Sequence, residues 1–156
     1  MNGREGDNPG VIARPPLIYL AFLLVGLALG CVWPVAFVPD SVRFRAGIAL
    51  ILLGVGIQAI ALRRFQVAGT SHETAKPATA LVTGGVFRYS RNPVYVSLDL
   101  IYAGIAVAAE SLWMLVLTVP LHFVIHYGVV IREERYLEGK FGEEYARYKA
   151  AVRRWL

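Results

Sequence analysis

The sequence predicts an all-α integral membrane protein with about four transmembrane helices, a hairpin of the third and fourth helices, and a cytoplasmic C-terminal helix. Three observations predict this fold class. First, 56% of the 156 residues are apolar and only 17% are charged, whereas a soluble domain keeps roughly 25% charged. Second, the chain contains four long apolar segments. Third, its basic residues gather in alternate connections between those segments, as they do in membrane proteins.

The four apolar segments are each long enough, or nearly so, to cross a bilayer. A 19-residue helix covers roughly 28 Å, close to the hydrocarbon thickness. The third segment is shorter and contains Asp99, and only Glu110 and Ser111 separate it from the fourth. So short a connection predicts a tight helical hairpin. The predicted spans are residues 17–35, 44–62, 94–109 and 112–131.

The distribution of basic residues predicts the orientation. All but two of the sixteen Lys and Arg residues precede the first span, lie between the second and third, or follow the fourth. Only Arg43 and Arg45 lie in the connection between the first two spans. Because Lys and Arg accumulate on the cytoplasmic side, we expect both termini in the cytoplasm and a bacterial cytoplasmic membrane as the location. The same rule accounts for the net charge of +5, so we expect no nucleic-acid partner.

The connection between the second and third spans is a candidate functional segment. It has about 30 residues, a length typical of a functional or a disordered loop. Near its end, Asn92 can be the N-cap and Pro93 the first residue of the third helix. Together with Arg88 and Arg91, an exposed helix start there would attract an anionic group such as a carboxylate. The alternative is a capped helix with an ordinary basic flank.

A second group of polar residues lies within the hairpin. His122, His126 and Glu133 have the spacing of one helical stripe, and the third helix carries Tyr95 and Asp99 one turn apart. Ionisable groups inside a span are costly unless they find partners. The stripes therefore predict either a polar pocket between the helices or a structural hydrogen bond. Two His residues four apart suggest a metal, but no third ligand has suitable spacing, so we expect none.

Two separated motifs bracket the hairpin. They are Leu81-Val82-x-x-Gly85-x-Phe87-x-x-x-Arg91-Asn92-Pro93-x-Tyr95 and Glu133-Glu134-x-x-Leu137-x-x-x-Phe141-Gly142-x-x-Tyr145-x-x-Tyr148. In this order they resemble the isoprenylcysteine carboxyl methyltransferase family and its phospholipid methyltransferase relatives, and the resemblance covers roughly residues 65–152. It implies an integral membrane enzyme that binds S-adenosylmethionine between the hairpin and the C-terminal segment.

The resemblance implies a set of residues that contact S-adenosylmethionine. Glu133 would hold the ammonium group or a ribose hydroxyl, and aromatic rings would flank the adenine or the sulfonium. The helix start near Pro93 would take the carboxylate. The chain departs from the family in having Phe87 where Tyr is frequent, and Asn92 where many members have His. The implied residues are Thr79, Ala80, Leu81, Val82, Phe87, Arg91, Asn92, Pro93, Val94, Tyr95 and Glu133.

The acceptor side is less well matched. The family's acceptor-side Arg falls near Val129, so His126, Arg132 and Asp99 are the candidates that this chain offers. The predicted function is methyl transfer from S-adenosylmethionine to a lipid or lipid-tailed acceptor at the cytoplasmic face, of the carboxyl O-methylation or lipid N-methylation class. The alternative is a non-catalytic lipid-binding membrane subunit of the same architecture.

The whole chain, 1–156, is predicted to form one membrane methyltransferase domain. Within it, residues 1–16 form an N-terminal tail and residues 17–62 contain the first two spans. Residues 63–156 contain the cofactor-binding loop, the hairpin and the C-terminal segment.

The predicted orientation can be tested with reporter fusions. A reporter at the C-terminus should report a cytoplasmic location, and one inserted after Pro39 should report the opposite side, because the basic residues cluster as described. A periplasmic signal from the C-terminal fusion would contradict the topology.

Overall fold

The structure is a computed structural model that describes residues 8–71, 73 and 76–156. The expectations for the first seven residues of the tail, Arg4 included, lie outside these described residues. The described chain is all-helical, as predicted. A 3-10 helix, Gly85–Arg88, precedes the third α-helix, and a π-helical turn, His126–Val130, joins the fourth to the fifth. The α-helices are α1 Pro15–Val32, α2 Asp40–Val67, α3 Pro93–Ala108, α4 Leu112–Ile125, α5 Ile131–Phe141 and α6 Glu143–Ala151.

Each predicted apolar segment forms a helix. Three helical stretches are long and apolar enough to cross a membrane: α1, α2 and the continuous stretch Leu112–Phe141. The apolar helix α3 has 16 residues and is shorter, about 24 Å. The prediction of about four spans therefore corresponds to three full-length helices and one short one, which forms the hairpin with α4.

The helices pack in the order α2, α3, α4, α1, and α1 also contacts α3. Glycines allow the closest approach, which is between α2 and α3. A Cβ atom on Gly54 would lie 2.7 Å from the carbonyl oxygen of Ser97, and one on Gly104 would lie 2.7 Å from that of Gly47. Small residues at these points bring the two backbones together, as in many membrane helix pairs.

The predicted tight hairpin between α3 and α4 is present. Glu110 adopts a left-handed φ of 53°, and Ser111 caps α4 by accepting a hydrogen bond from the backbone N–H of Met114. Arg43 from α2 pairs with Glu110 at 2.7 Å. This turn lies at the end of the bundle opposite the long loop between α2 and α3.

The π-helical turn is a feature that the sequence did not predict, since residues 112–131 were expected to form one uninterrupted span. The carbonyl oxygen of Gly128 in this turn accepts a hydrogen bond from the backbone N–H of Ile12, at 3.2 Å. Gly128 also leaves room for the Ile12 side chain, which a Cβ atom would overlap. The turn therefore holds the segment before α1 against the start of α5.

The role of the close α2–α3 contact can be tested with two alanine substitutions. Gly54→Ala should destabilise the protein by about 1–3 kcal/mol, because its Cβ would collide with the α3 backbone. Gly56→Ala is the matched control, since a Cβ there meets nothing within 4 Å and Ala favours helix. Thermal unfolding in detergent compares them, and equal transition temperatures would contradict the packing.

Candidate functional site

One cavity opens at the end of the bundle that carries the long loop. Its volume is about 130 Å³, which is smaller than the roughly 300–1,000 Å³ typical of small-molecule sites, and its mouth is open to solvent. Its walls come from the loop before α3, the first turn of α3, and helices α5 and α6. Its lining residues are Pro9, Phe65, Thr70, Ser71, Glu73, Lys76, Ala78, Ala80, Leu81, Val82, Phe87, Arg91, Asn92, Pro93, Val94, Tyr95, Glu133, Glu134, Tyr136, Leu137, Tyr145 and Tyr148.

Most of the residues singled out from the sequence line this cavity. Ten of the eleven residues that the resemblance implies as cofactor contacts line the cavity, and Thr79 does not. Thr79 lies beside the cavity, where its backbone N–H donates to Thr70 and its hydroxyl donates to the carbonyl of Gly69. Thr79 therefore fixes the shape of the loop.

A hydrogen bond joins the two main walls. The Tyr95 hydroxyl on α3 donates to a carboxylate oxygen of Glu133 on α5, at 2.8 Å. Tyr95 is 5% exposed. The bond turns the Glu133 carboxylate towards α3 and leaves it one acceptor oxygen for a ligand.

The start of α3 faces the cavity without a side-chain cap. Asn92 occupies the predicted N-cap position and Pro93 begins the helix, but no side-chain hydrogen bond caps it. The Asn92 amide instead donates to the carbonyl of Arg154, at 3.0 Å. The expectation of a capping Asn92 side chain is therefore wrong, because a partner distant in sequence takes that side chain. Pro93 has no N–H, and the N–H of Tyr95 donates to the Asn92 carbonyl at 3.1 Å. Within the described part of the chain, the N–H of Val94 is therefore the one left without a partner at the positive end of α3, beside the cavity.

A buried ion cluster lies behind this wall. Glu134 is 5% exposed. Its carboxylate pairs with Arg91 at 3.2 Å and accepts from Arg154 at 2.9 and 3.1 Å. The hydrogen bonds with Glu134 raise the pKa of Arg154, so that guanidinium stays charged. The Nε atom of Arg91 is buried and has no hydrogen-bond partner among the described residues.

Residues 152–156, the C-terminal strap, cross the start of α3. The carbonyl of Arg153 accepts from the Arg91 backbone N–H at 2.9 Å, and that of Arg154 accepts from the Ser90 hydroxyl at 3.3 Å. Trp155 then packs against His122, with ring centroids 4.5 Å apart. The strap therefore connects α6, α3 and α4.

Aromatic rings form another wall. Phe87 is 5% exposed and meets Phe65 edge to face at 5.3 Å. The Tyr148 hydroxyl donates to the Phe87 carbonyl at 2.7 Å. Burial is the main cause that raises the pKa values of Tyr145 and Tyr148, so both stay neutral hydroxyls. The sequence reasoning did not include these two tyrosines among the site residues, although they stand in the second motif.

The three acceptor-side candidates lie outside the cavity lining. Asp99 accepts from the Tyr19 hydroxyl at 2.5 Å and pairs with His122 at 3.4 Å. The His126 ring stacks beside His122 at 6.2 Å. These residues form a polar cluster one helical turn beyond Tyr95.

The surroundings of His126, Arg132 and Val129 differ. The Nδ1 atom of His126 is buried and has no partner among the described residues. Arg132 faces away from the cluster and donates to the Gly10 carbonyl at 2.8 Å. Val129, where the family's Arg was expected to fall, is fully buried in the core. Among the residues that the structure describes, no three His, Cys, Asp or Glu side chains form a metal site.

The fold and the cavity define a class of protein: a helical membrane protein with a largely apolar, aromatic-walled cavity, which also contains charged side chains, at one end of its hairpin. Residues 42–144 match the family described as phospholipid methyltransferase. The match covers well over half of the chain, and the chain belongs to this family. It includes α3, α4 and the cavity wall on α5, and it ends before Tyr145.

A relative adds a short local similarity. A stretch of 33 residues is 64% identical to an uncharacterized protein of Haemophilus influenzae, and it represents 21% of this chain and 52% of that protein. The chain thus spans about half the length of the curated relative that it matches. No solved structure matches the chain.

The ion cluster predicts that Arg154 stabilises the cavity walls. Arg154→Gln should lower the free energy of unfolding by about 1–2 kcal/mol, because it removes charge-assisted hydrogen bonds to Glu134. The loss stays modest because Arg91 remains as a partner of Glu134 and because solvent screens the partly exposed guanidinium of Arg154. Arg147→Gln on the exposed face of α6 is the matched control. Urea unfolding in detergent measures both, and equal losses would contradict the role of the cluster.

Proposed function

We propose that this protein transfers a methyl group from S-adenosylmethionine to a hydrophobic or amphiphilic acceptor at the cytoplasmic face of a bacterial cytoplasmic membrane, with both termini in the cytoplasm. The proposal rests on one observation, which is that two motifs distant in sequence meet at one cavity. Residues from two motifs about 40 positions apart, chosen for their resemblance to a methyltransferase family, line one cavity with α3 and α5 as its walls. Membership of the phospholipid methyltransferase family supports the same reaction class.

The cavity suits the zwitterionic end of S-adenosylmethionine. Glu133 offers a carboxylate for an ammonium group, and the backbone N–H of Val94 at the start of α3 offers a donor for a carboxylate. Opposite charges on opposite walls would fix the direction in which the ligand lies.

The remaining walls suit the rest of the ligand. Aromatic side chains, among them Phe87 and Tyr148, provide flat surfaces for adenine or for a sulfonium. When bound, S-adenosylmethionine would supply a methyl group on a positively charged sulfur that leaves as a neutral thioether. The chain's own part is to align that methyl group with an acceptor and to exclude water, and apolar residues such as Leu81, Val94 and Leu137 line the cavity for it.

The polar cluster beyond Tyr95 is the proposed acceptor side. Its side chains lie between α1, α3 and α4, within the apolar part of the bundle. A carboxylate acceptor would need no base, whereas an amine would need a proton acceptor. The buried and unpartnered Nδ1 of His126, or Asp99 beside it, would serve as that acceptor. Because the cluster lies within the apolar part of the bundle, the acceptor would enter sideways from the bilayer.

Cofactor binding should depend on Glu133. Glu133→Gln is expected to weaken S-adenosylmethionine binding roughly 10- to 150-fold, because it removes a charge-assisted contact worth about 1.5–3 kcal/mol. Isothermal titration of the full chain in detergent measures the affinity.

Glu144→Gln is the matched control, since Glu144 is exposed on α6 and does not line the cavity. Unchanged binding in both variants would mean that the cofactor binds elsewhere. A wild-type chain that binds lipid and no S-adenosylmethionine would favour the lipid-binding subunit instead.

Turnover should rise with the length of the acceptor's alkyl tail, because a longer tail partitions into the bilayer and delivers its polar head to the cytoplasmic mouth. A series of acceptors with one reacting group and increasing tail length, assayed with radiolabelled donor, measures this dependence. Highest efficiency for a fully soluble acceptor would contradict lateral entry.

A further inference from the structure

A second groove lies on the outer side of α5, away from the polar cluster. Its walls are the segment before α1, represented by Pro9, and the outer face of the π turn and α5. It is an open groove with a volume of about 720 Å³. Pro9 and Tyr136 line both this groove and the first cavity, so the two are neighbours.

The groove is basic. Arg132 and Arg135 line it, and the described residues of its lining include no Asp or Glu. One guanidinium nitrogen of Arg132 donates to the Gly10 carbonyl, which holds this side chain at the edge of the groove and leaves its other N–H groups for a ligand. Arg135 is exposed one turn further along. Two arginines at this spacing suit a phosphate group.

An apolar stripe leads into the groove from the membrane side. Val116, Val119, Phe123 and Tyr127 on α4 and the π turn are 53–61% exposed. The rings of Phe123 and Tyr127 lie parallel, with centroids 6.2 Å apart. The stripe continues past Tyr127 through Ile131 to Arg135. A surface that changes from apolar to aromatic to basic along one helix matches an amphiphile with a tail and an anionic head.

We propose that this groove binds an anionic phospholipid, with the phosphate at Arg132 and Arg135 and one acyl chain along the stripe from Tyr127 to Val116. A lipid fits better than a soluble anion, because the two arginines continue the lipid-facing stripe, so the head of a bilayer lipid reaches them while its tail stays in the membrane. The inference goes beyond the proposed methyl transfer, since the groove neither contains the polar cluster nor requires the lipid to react. A lipid bound there would also hold the segment before α1 against α5, through Arg132 and Gly10.

The test is lipid binding by the full chain in non-ionic detergent, with phosphatidylglycerol as the probe and native mass spectrometry as the readout. The variant Arg132→Gln/Arg135→Gln should bind about 30-fold more weakly, on the basis of about one fivefold factor for each arginine. The matched control, Arg88→Gln/Arg147→Gln, removes the same charge from exposed positions outside the groove and should bind like the wild type. Arg135→Gln alone should bind phosphatidylglycerol about fivefold more weakly than the wild type. This single variant keeps the test valid if the double variant does not fold.

Two further arms identify the ligand chemistry. Phe123→Ser should also weaken phosphatidylglycerol binding, whereas inorganic phosphate should displace the lipid only at far higher concentration. Equal losses in the groove variant and its control would overturn the proposal in favour of general surface charge. Displacement by inorganic phosphate at the lipid's own concentration would overturn it in favour of a soluble anion. S-adenosylmethionine titration of the same wild-type sample reports on the proposed function separately, so either proposal can fail alone.

Discussion

The arrangement of the cavity walls depends on the buried carboxylate of Glu134. A carboxylate removed from water is costly unless it is paired and hydrogen-bonded, and Glu134 meets this requirement with Arg91 from the loop before α3 and Arg154 from the C-terminal strap. These three residues come from α5, the loop before α3 and the strap, which also share a hydrophobic cluster around Phe87, Tyr145 and Tyr148. Their pairing fixes the strap across the start of α3, and the strap in turn takes the Asn92 side chain. The first turn of α3 is thereby left uncapped and open to the cavity.

Helix α3 contributes a side chain to each of the two proposed halves of the site, the cofactor cavity and the acceptor-side cluster. Tyr95 on its first turn donates to Glu133 at the cavity, and Asp99 one turn later belongs to the polar cluster with Tyr19 and His122. One turn of helix advances about 5.4 Å. If the cofactor lies in the cavity, an acceptor whose head reaches the cluster would therefore meet it close to Tyr95.

The sequence predicted the spans, the hairpin and ten of the 22 residues that line the cavity, because hydropathy and local motifs report on them directly. It did not predict the π turn, since a bulge of one residue leaves the apolar pattern of residues 112–131 unchanged. Asn92 was expected to cap α3, as local helix-start rules suggest. Its actual partner is 62 positions away, and no local pattern reveals such a contact. The role of Glu134 was missed for the same reason: a Glu-Glu pair in a charged helix is indistinguishable in sequence from a solvated face.

The central claim is that the cavity between α3, α5 and α6 is the cofactor site, and hydrogen–deuterium exchange of the full chain with and without S-adenosylmethionine tests it most directly. The account predicts slower exchange in residues 78–95 and 133–148, which contain most of the cavity walls, and little change in the α3–α4 turn at the opposite end. Saturating S-adenosylmethionine that leaves both segments unchanged, or that protects only the outer groove around residues 127–132, would contradict it.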